Sequence, residues 1–116
     1  EVFRLKFSGS LESQIRVYPK ERDGSLWERY FIPDFYDRTN NTFYEIKSGN
    51  AALTFNQSYG YPRAKANGWK NVNTDMPPVS TCFMVRPKMI GGRSIDPPRV
   101  DVSNMSLNQI FDITSF

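Results

Sequence analysis

Short apolar runs that alternate with polar residues fill the first half of the chain, and one stretch at helical spacing follows them. Phe3, Leu5 and Phe7 alternate with Arg4 and Lys6, which suits a short strand or a helix entering from upstream, until Ser8-Gly9-Ser10 breaks the run. Leu11-Glu12-Ser13 fits a brief helical turn. Gln14 to Tyr18 alternates as a strand, Arg22-Asp23-Gly24-Ser25 marks a turn, and Leu26 to Tyr30 opens a second strand that runs on to Asp34. Next come Ile32-Pro33-Asp34-Phe35-Tyr36, the polar turn Asp37-Arg38-Thr39-Asn40-Asn41, and Thr42-Phe43-Tyr44-Glu45-Ile46-Lys47-Ser48-Gly49. Rich in Phe, Tyr, Ile and Thr on either side of turn formers, this reads as a hairpin that makes the last two strands of a three-stranded meander.

Two registers fit the hairpin. A long loop sets Asp34 opposite Glu45, and a tight turn at Asn40-Asn41 sets it opposite Lys47. Because side chains alternate with period two, both keep Asp34, Glu45 and Lys47 on one face. The other face then carries Phe31, Phe35, Tyr44 and Ile46, an apolar surface to bury against a helix. Past Gly49, Asn50 is a plausible N-cap, and Ala52, Phe55, Tyr59, Pro62 and Ala66 recur at steps of three and four, predicting a helix face. Thr54, Gln57, Tyr61 and Lys65 form its second stripe, Pro62 predicts a kink or a break near Tyr61, and Gly68 a stop. Val79 to Val85 alternates as a further central strand, Gly91-Gly92-Arg93 is a plain turn without a phosphate-loop pattern, and Asp96-Pro97-Pro98 an extended connector. Ser103-Asn104 is placed to cap a last helix carrying Leu107, Ile110 and Phe111.

Composition narrows the chemistry. With 116 residues the chain fits one domain, residues 1–116, around one core. There is one cysteine, Cys82, and no histidine, so an internal disulfide, cysteine-histidine zinc sites and triads built on histidine are excluded. Carboxylates, lysine and hydroxyls remain as catalytic materials. The net charge of +3 mildly favours a polyanionic partner, and no apolar run is long enough to span a membrane. The first residue is Glu1 rather than Met, which suggests a piece of a longer protein.

Charge inside an apolar hairpin is unfavourable unless paired, hydrogen-bonded or bound to metal. Asp34 and Glu45 on adjacent strands can offer oxygens to one hard divalent cation that keeps several waters. Lys47, two residues on, points the same way, where its charge can stabilise a phosphorane-like transition state or its amine can help deprotonate water. Glu28 lies on the same face, but about 20 Å away along a strand at the usual rise. Pro33-Asp34, ten intervening residues and Glu45-Ile46-Lys47 together resemble the signature of the PD-(D/E)XK nuclease superfamily.

The resemblance implies an α/β fold with a restriction-endonuclease-like αβββαβ core and a mixed central sheet, the first helix here reduced or missing. It implies Mg²⁺ or another divalent cation held by Asp34 and Glu45, with Glu12 the nearest candidate for the acid that often completes the site. Gln57 falls where toxin nucleases of the superfamily place a helix Gln facing the site. Arg63, Lys65 and Lys70 are candidates for following a nucleic-acid backbone. Compact size and the Glu-Ile-Lys-Ser-Gly run before a Gln-bearing helix resemble the C-terminal toxin domain of a contact-dependent growth inhibition or related polymorphic bacterial toxin. Such domains are secreted at the tip of a larger protein, act in the target-cell cytoplasm on DNA or tRNA, and are blocked by a cognate immunity protein; free, the domain is expected to be a monomer. A restriction or repair enzyme fragment shares this chemistry. The alternative from another class is a non-catalytic nucleic-acid-binding or protein-interaction module on the same scaffold.

Overall fold

The hairpin forms, and it takes the long-loop register. In the computed structural model, which describes residues 2–7, 9–90, 93–94 and 102–116, Phe35 pairs with Tyr44, Tyr36 with Phe43 and Asp37 with Thr42. Asp37 sets the turn by accepting from the backbone N–H and the side-chain amide of Asn40, at 3.3 and 2.7 Å. Asn41 takes the left-handed φ of 49° that Asn tolerates better than most residues.

In chain order the elements are helix α1 (Val2–Lys6), strands β1 (Tyr18–Pro19), β2 (Phe35–Asp37) and β3 (Thr42–Ile46), helix α2 (Phe55–Asn67), strands β4 (Trp69–Asn71), β5 (Thr74–Met76) and β6 (Thr81–Pro87), the short pair β7 (Met89–Ile90) and β8 (Arg93–Ser94), helix α3 (Leu107–Ile110) and strand β9 (Phe111–Ser115). The fold is mixed α/β. Its main sheet runs β2-β3-β6-β9 and is itself mixed: β3 and β6 are parallel, and the outer pairings are antiparallel. A parallel pair needs a crossover, and α2 lies within it. A second, antiparallel sheet has the order β1-β4-β5.

Several expectations are corrected. Of the two forms open to Phe3, Leu5 and Phe7 the helix is the one found, over Val2–Lys6 with Phe7 just past its end, which puts Phe3 in the core and leaves Leu5 exposed. No meander precedes the hairpin: between Leu26 and Asp34 the chain makes only isolated bridges, Lys20 with Leu26 and Val17 with Phe31, and Pro33 has no N–H to donate to a ladder. Phe31 therefore parts from Phe35 and joins Tyr36, Phe43, Tyr61 and Trp69 in one core cluster. Phe35 and Tyr44, with Ile46 packed against them, face the other cluster, which Phe3 and Ile110 complete. Phe111 opens a strand instead of ending a helix, and Ser106 rather than Ser103 precedes α3. The predicted turn at Gly91-Gly92 and the connector at Asp96-Pro97-Pro98 lie outside the described residues.

Helix α2 starts later than expected, with Thr54 as N-cap, and runs through Pro62 to Asn67. Gly68, at a φ of 89°, closes it by donating its N–H to the Ala64 carbonyl. Its buried residues are Gly60, Tyr61 and Ala64, of which only Tyr61 belongs to the expected second stripe, while Phe55 of the expected apolar face points outward. Glycine decides this orientation. A Cβ on residue 60 would stand 2.3 Å from the Phe31 ring, so only Gly lets the helix lie this close. Helix α2 thus covers the sheet face of Phe43 and Glu45, and core and chemistry share one side instead of opposite ones.

Candidate active site

Continuing the β2-β3 register places Asp34 opposite Glu45, just before β2 begins. There its side chain replaces a ladder partner: Asp34 Oδ2 accepts the backbone N–H of Ile46 at 2.6 Å. The exposed carboxylate is thereby pinned between the positions of Glu45 and Lys47. On the far side of β3, the backbone N–H of Lys47 donates to the Val85 carbonyl and holds the strand end against β6.

Glu45 is only 3% exposed. The Tyr61 hydroxyl donates to its Oε1 at 2.6 Å, the Gln57 side-chain amide donates to its Oε2 at 3.0 Å, and Lys47 Nζ stands 3.5 Å from Oε2. Burial is the main reason its carboxyl is pushed up to about 7. The Asp34 carboxylate also raises it, while the Tyr61 hydrogen bond and the Lys47 ammonium pull the other way. Tyr61 is raised above the ordinary phenol value by burial first and by Glu45 second, so it stays a neutral donor.

Gln57 is held in place by its own helix. Its side-chain carbonyl accepts the Thr54 N–H at 2.9 Å, and the Thr54 hydroxyl accepts the Gln57 N–H at 3.2 Å, a capping box that leaves the amide nitrogen for Glu45. From β6, the Arg86 guanidinium donates to the carbonyls of Gly49 and Ala51 at 2.8 and 2.9 Å. These bonds hold the connection that delivers the helix to the site.

Asp34, Glu45, Lys47 and Gln57 are brought together. Glu12 is held elsewhere: its backbone bridges Tyr36 and its carboxylate takes a bidentate pair of bonds from Arg38, at 2.7 and 2.9 Å. Among the described residues no three Asp, Glu or Cys side chains gather as a metal-binding group. The pair Asp34 and Glu45 suits Mg²⁺ all the same, because that ion binds through one or two carboxylates and keeps its remaining positions for water and phosphate. Two acids whose repulsion raises one of them have a use for such a charge. Of the three proposed backbone followers, Arg63 and Lys65 have other partners and Lys70 lies on the second sheet. Arg63 bonds Glu21 at 2.8 Å and lies 3.5 Å over the Tyr59 ring. Lys65 donates to the Phe116 carbonyl at 3.2 Å, and Lys70 on β4 sits opposite Asp75.

Beside Asp34 opens a cavity of about 360 Å³ lined by Arg4, Ser13, Gln14, Asp34, Phe35 and Ile46. The Arg4 guanidinium lies 5.0 Å over the Phe35 ring, and Gln14 has a left-handed φ of 61°. Sequence patterns pointed to neither residue, since nothing local ties α1 or residue 14 to a hairpin formed much later in the chain. Tyr61 was visible, four residues from Gln57 on the same stripe. No family model matches the sequence, and neither the curated proteins nor the solved structures give a match.

Proposed function

We propose that this chain is a Mg²⁺-dependent nuclease of the PD-(D/E)XK type that hydrolyses phosphodiester bonds of DNA or tRNA. The reading is carried by the convergence of Asp34, Glu45, Lys47 and Gln57, with the Asp34 carboxylate fixed by the backbone N–H of Ile46. The parallel β3-β6 pair with α2 in its crossover, extended by β2, supports a restriction-endonuclease-like core with α1 as the reduced first helix.

In this reading Asp34 and Glu45 would hold the cation, which when bound would supply charge for the phosphate and acidify a water. Lys47, next to Glu45, orients the attacking water or stabilises the added charge on phosphorus. Gln57 and Tyr61 steady Glu45 so that its oxygens keep one geometry. The cavity beside Asp34 admits the scissile phosphate, with Arg4 as its cation. In biological setting, the resemblance favours the toxic tip of a bacterial competition protein, secreted as part of a larger chain and neutralised by an immunity protein.

One observation favours the non-catalytic module instead. Both Glu45 oxygens already have donors, the arrangement of a satisfied buried acid. Incubating plasmid and total RNA with the protein, with Mg²⁺ or with EDTA, separates the two. The nuclease reading expects Mg²⁺-dependent cleavage that Asp34→Ala and Lys47→Ala abolish. Cleavage that survives EDTA and both substitutions rejects the mechanism, and no cleavage of either substrate favours the module.

A further inference from the structure

The outer side of α2 carries a feature that neither the core nor the carboxylate site uses. Phe55, on the first turn of the helix, is 68% exposed, and the Arg29 guanidinium lies 5.9 Å over its ring. Tyr30, 36% exposed, has the Arg16 guanidinium 4.8 Å over it and the Tyr18 ring 5.4 Å away. Asn56 donates its side-chain amide to the Tyr30 carbonyl at 3.2 Å, tying this loop to the helix turn that carries Gln57.

Behind the open rings the surface is braced. Trp27 stacks on Tyr59 with centroids 4.3 Å apart and planes 24° apart, and Arg63 lies over Tyr59 at 3.5 Å. Two groups that close cannot share a face, so Tyr59 is sandwiched between them, and Glu21 locks the sandwich by accepting from both the Tyr59 hydroxyl and Arg63. The Phe55 ring stands beside this sandwich, 6.2 Å from Tyr59 and within 28° of parallel to it, toward the N-terminal turn.

We infer that Phe55 and Tyr30, with Arg29 and Arg16 beside them, form a platform that binds unpaired nucleotides, so that the substrate of the site is single-stranded nucleic acid. This rests on the nucleic-acid reading above and narrows it. An exposed ring offers a face for one base and an adjacent guanidinium a charge for its phosphate, the combination that grips single strands with little regard to sequence. A duplex keeps its base faces stacked on each other and offers none to Phe55. Charge is a modest support for this choice over an apolar protein partner: Arg16 and Arg29 lie over the two open rings, and basic residues outnumber acidic ones, Glu28 and Asp23 included, across 16–30 and 55–63. A strand laid across the N-terminal turn of α2 meets Phe55 on the outer side and Gln57, hence Glu45, on the inner side.

The protein carries its own probe, because Trp69 is wholly buried while Trp27 belongs to this surface. Titrating the full chain in EDTA with a short single-stranded oligonucleotide, as RNA and as DNA, and with the duplex of the same sequence, should quench Trp27 fluorescence with affinities roughly tenfold or more in favour of the single strands. Phe55→Ala, at a solvent-facing position, should weaken single-strand binding about tenfold. Phe55→Trp should restore it, and Arg29→Gln should flatten the salt dependence. Equal affinity for duplex and single strand overturns the proposal, as does a Phe55→Ala variant that binds like the parent. Self-association that depends on Phe55, seen by light scattering, overturns it in favour of a contact between two copies. EDTA keeps cleavage out of the measurement: binding without any later cleavage sinks the enzyme and spares the platform, and cleavage indifferent to Phe55 does the reverse.

Discussion

Glu45 is the residue on which the site's energetics turn. Its carboxyl titrates at about 7 in the folded chain against an ordinary 4.5, so the fold prefers it protonated. The sign follows directly. The stability this preference contributes is full below about 4.5 and is lost as pH rises through about 7, a change on the order of a few kcal/mol at one pKa unit per 1.4 kcal/mol. Urea unfolding in EDTA should therefore show stability declining between these pH values, and Glu45→Gln should remove that decline. Glu12 has the opposite sign: the hydrogen bond from Arg38 holds its carboxyl low, so its contribution, small at this exposed position, is present above 4.5 and fades only as pH falls below that value. The two windows do not overlap.

If Glu45 is a metal ligand as proposed, a divalent cation would compete with its proton and binding would be pH-dependent. Mg²⁺ or Mn²⁺ should raise the melting temperature more at pH 8 than at pH 6, by differential scanning fluorimetry, and should do so less in Asp34→Ala. An equal shift at both pH values contradicts the assignment of Glu45 as a ligand. Tyr61→Phe leaves Glu45 Oε1 without its donor in a buried place, and unfolding should register a loss of about 1–3 kcal/mol. Its carboxyl should also titrate higher by NMR, since the Tyr61 bond is the largest influence holding it down.

Helix α2 is the element that turns a hairpin into a site. Thr54→Ala removes the cap that orients Gln57, so it should cost about 1 kcal/mol in unfolding and lower activity beyond what the lost stability explains. Gly60→Ala drives a methyl into the Phe31 ring and should destabilise by about 1–3 kcal/mol, read from the same denaturation curves. The helix was legible in outline from its spacing and from Gly68, but not its orientation. Phe55 and Tyr59 look like core by type, yet Tyr59 stacks on Trp27 at the surface and Phe55 lies exposed beside it. Gly60 and Tyr61 look neutral, yet they set the close approach to Phe31 and the contact with Glu45. Periodicity reports that a helix has two faces; which one is buried depends on a glycine's clearance and on a hydroxyl's partner, and both lie on other elements.

At the scale of the molecule, the alternation around Asp34 and Glu45 sufficed to place both acids on one sheet end, because the period of two is a local property. What it could not supply is non-local. The parallel pairing of β3 with β6, the antiparallel addition of β9 and the separate β1-β4-β5 sheet join residues far apart in the chain, several of them in strands too short to show alternation. The same holds for Glu12, whose partner Arg38 lies 26 residues on and takes up the acid that the sequence offered to the metal. Two clusters, one under α2 and one under α1 and α3, cover the main sheet on both sides and leave the Asp34 end open to the cavity that Arg4 lines.

Cutting of phosphodiester bonds by Asp34, Glu45 and Lys47 at this end of the sheet is what we propose. Its most direct test is the single-turnover cleavage rate of a labelled single-stranded RNA and a labelled single-stranded DNA in Mg²⁺, for the parent chain and for Asp34→Ala and Lys47→Ala variants shown to be folded. At least one strand should be cleaved, with cleavage abolished by EDTA and slowed about a hundredfold or more by either substitution. Parent and variants cutting at the same rate would contradict the proposal.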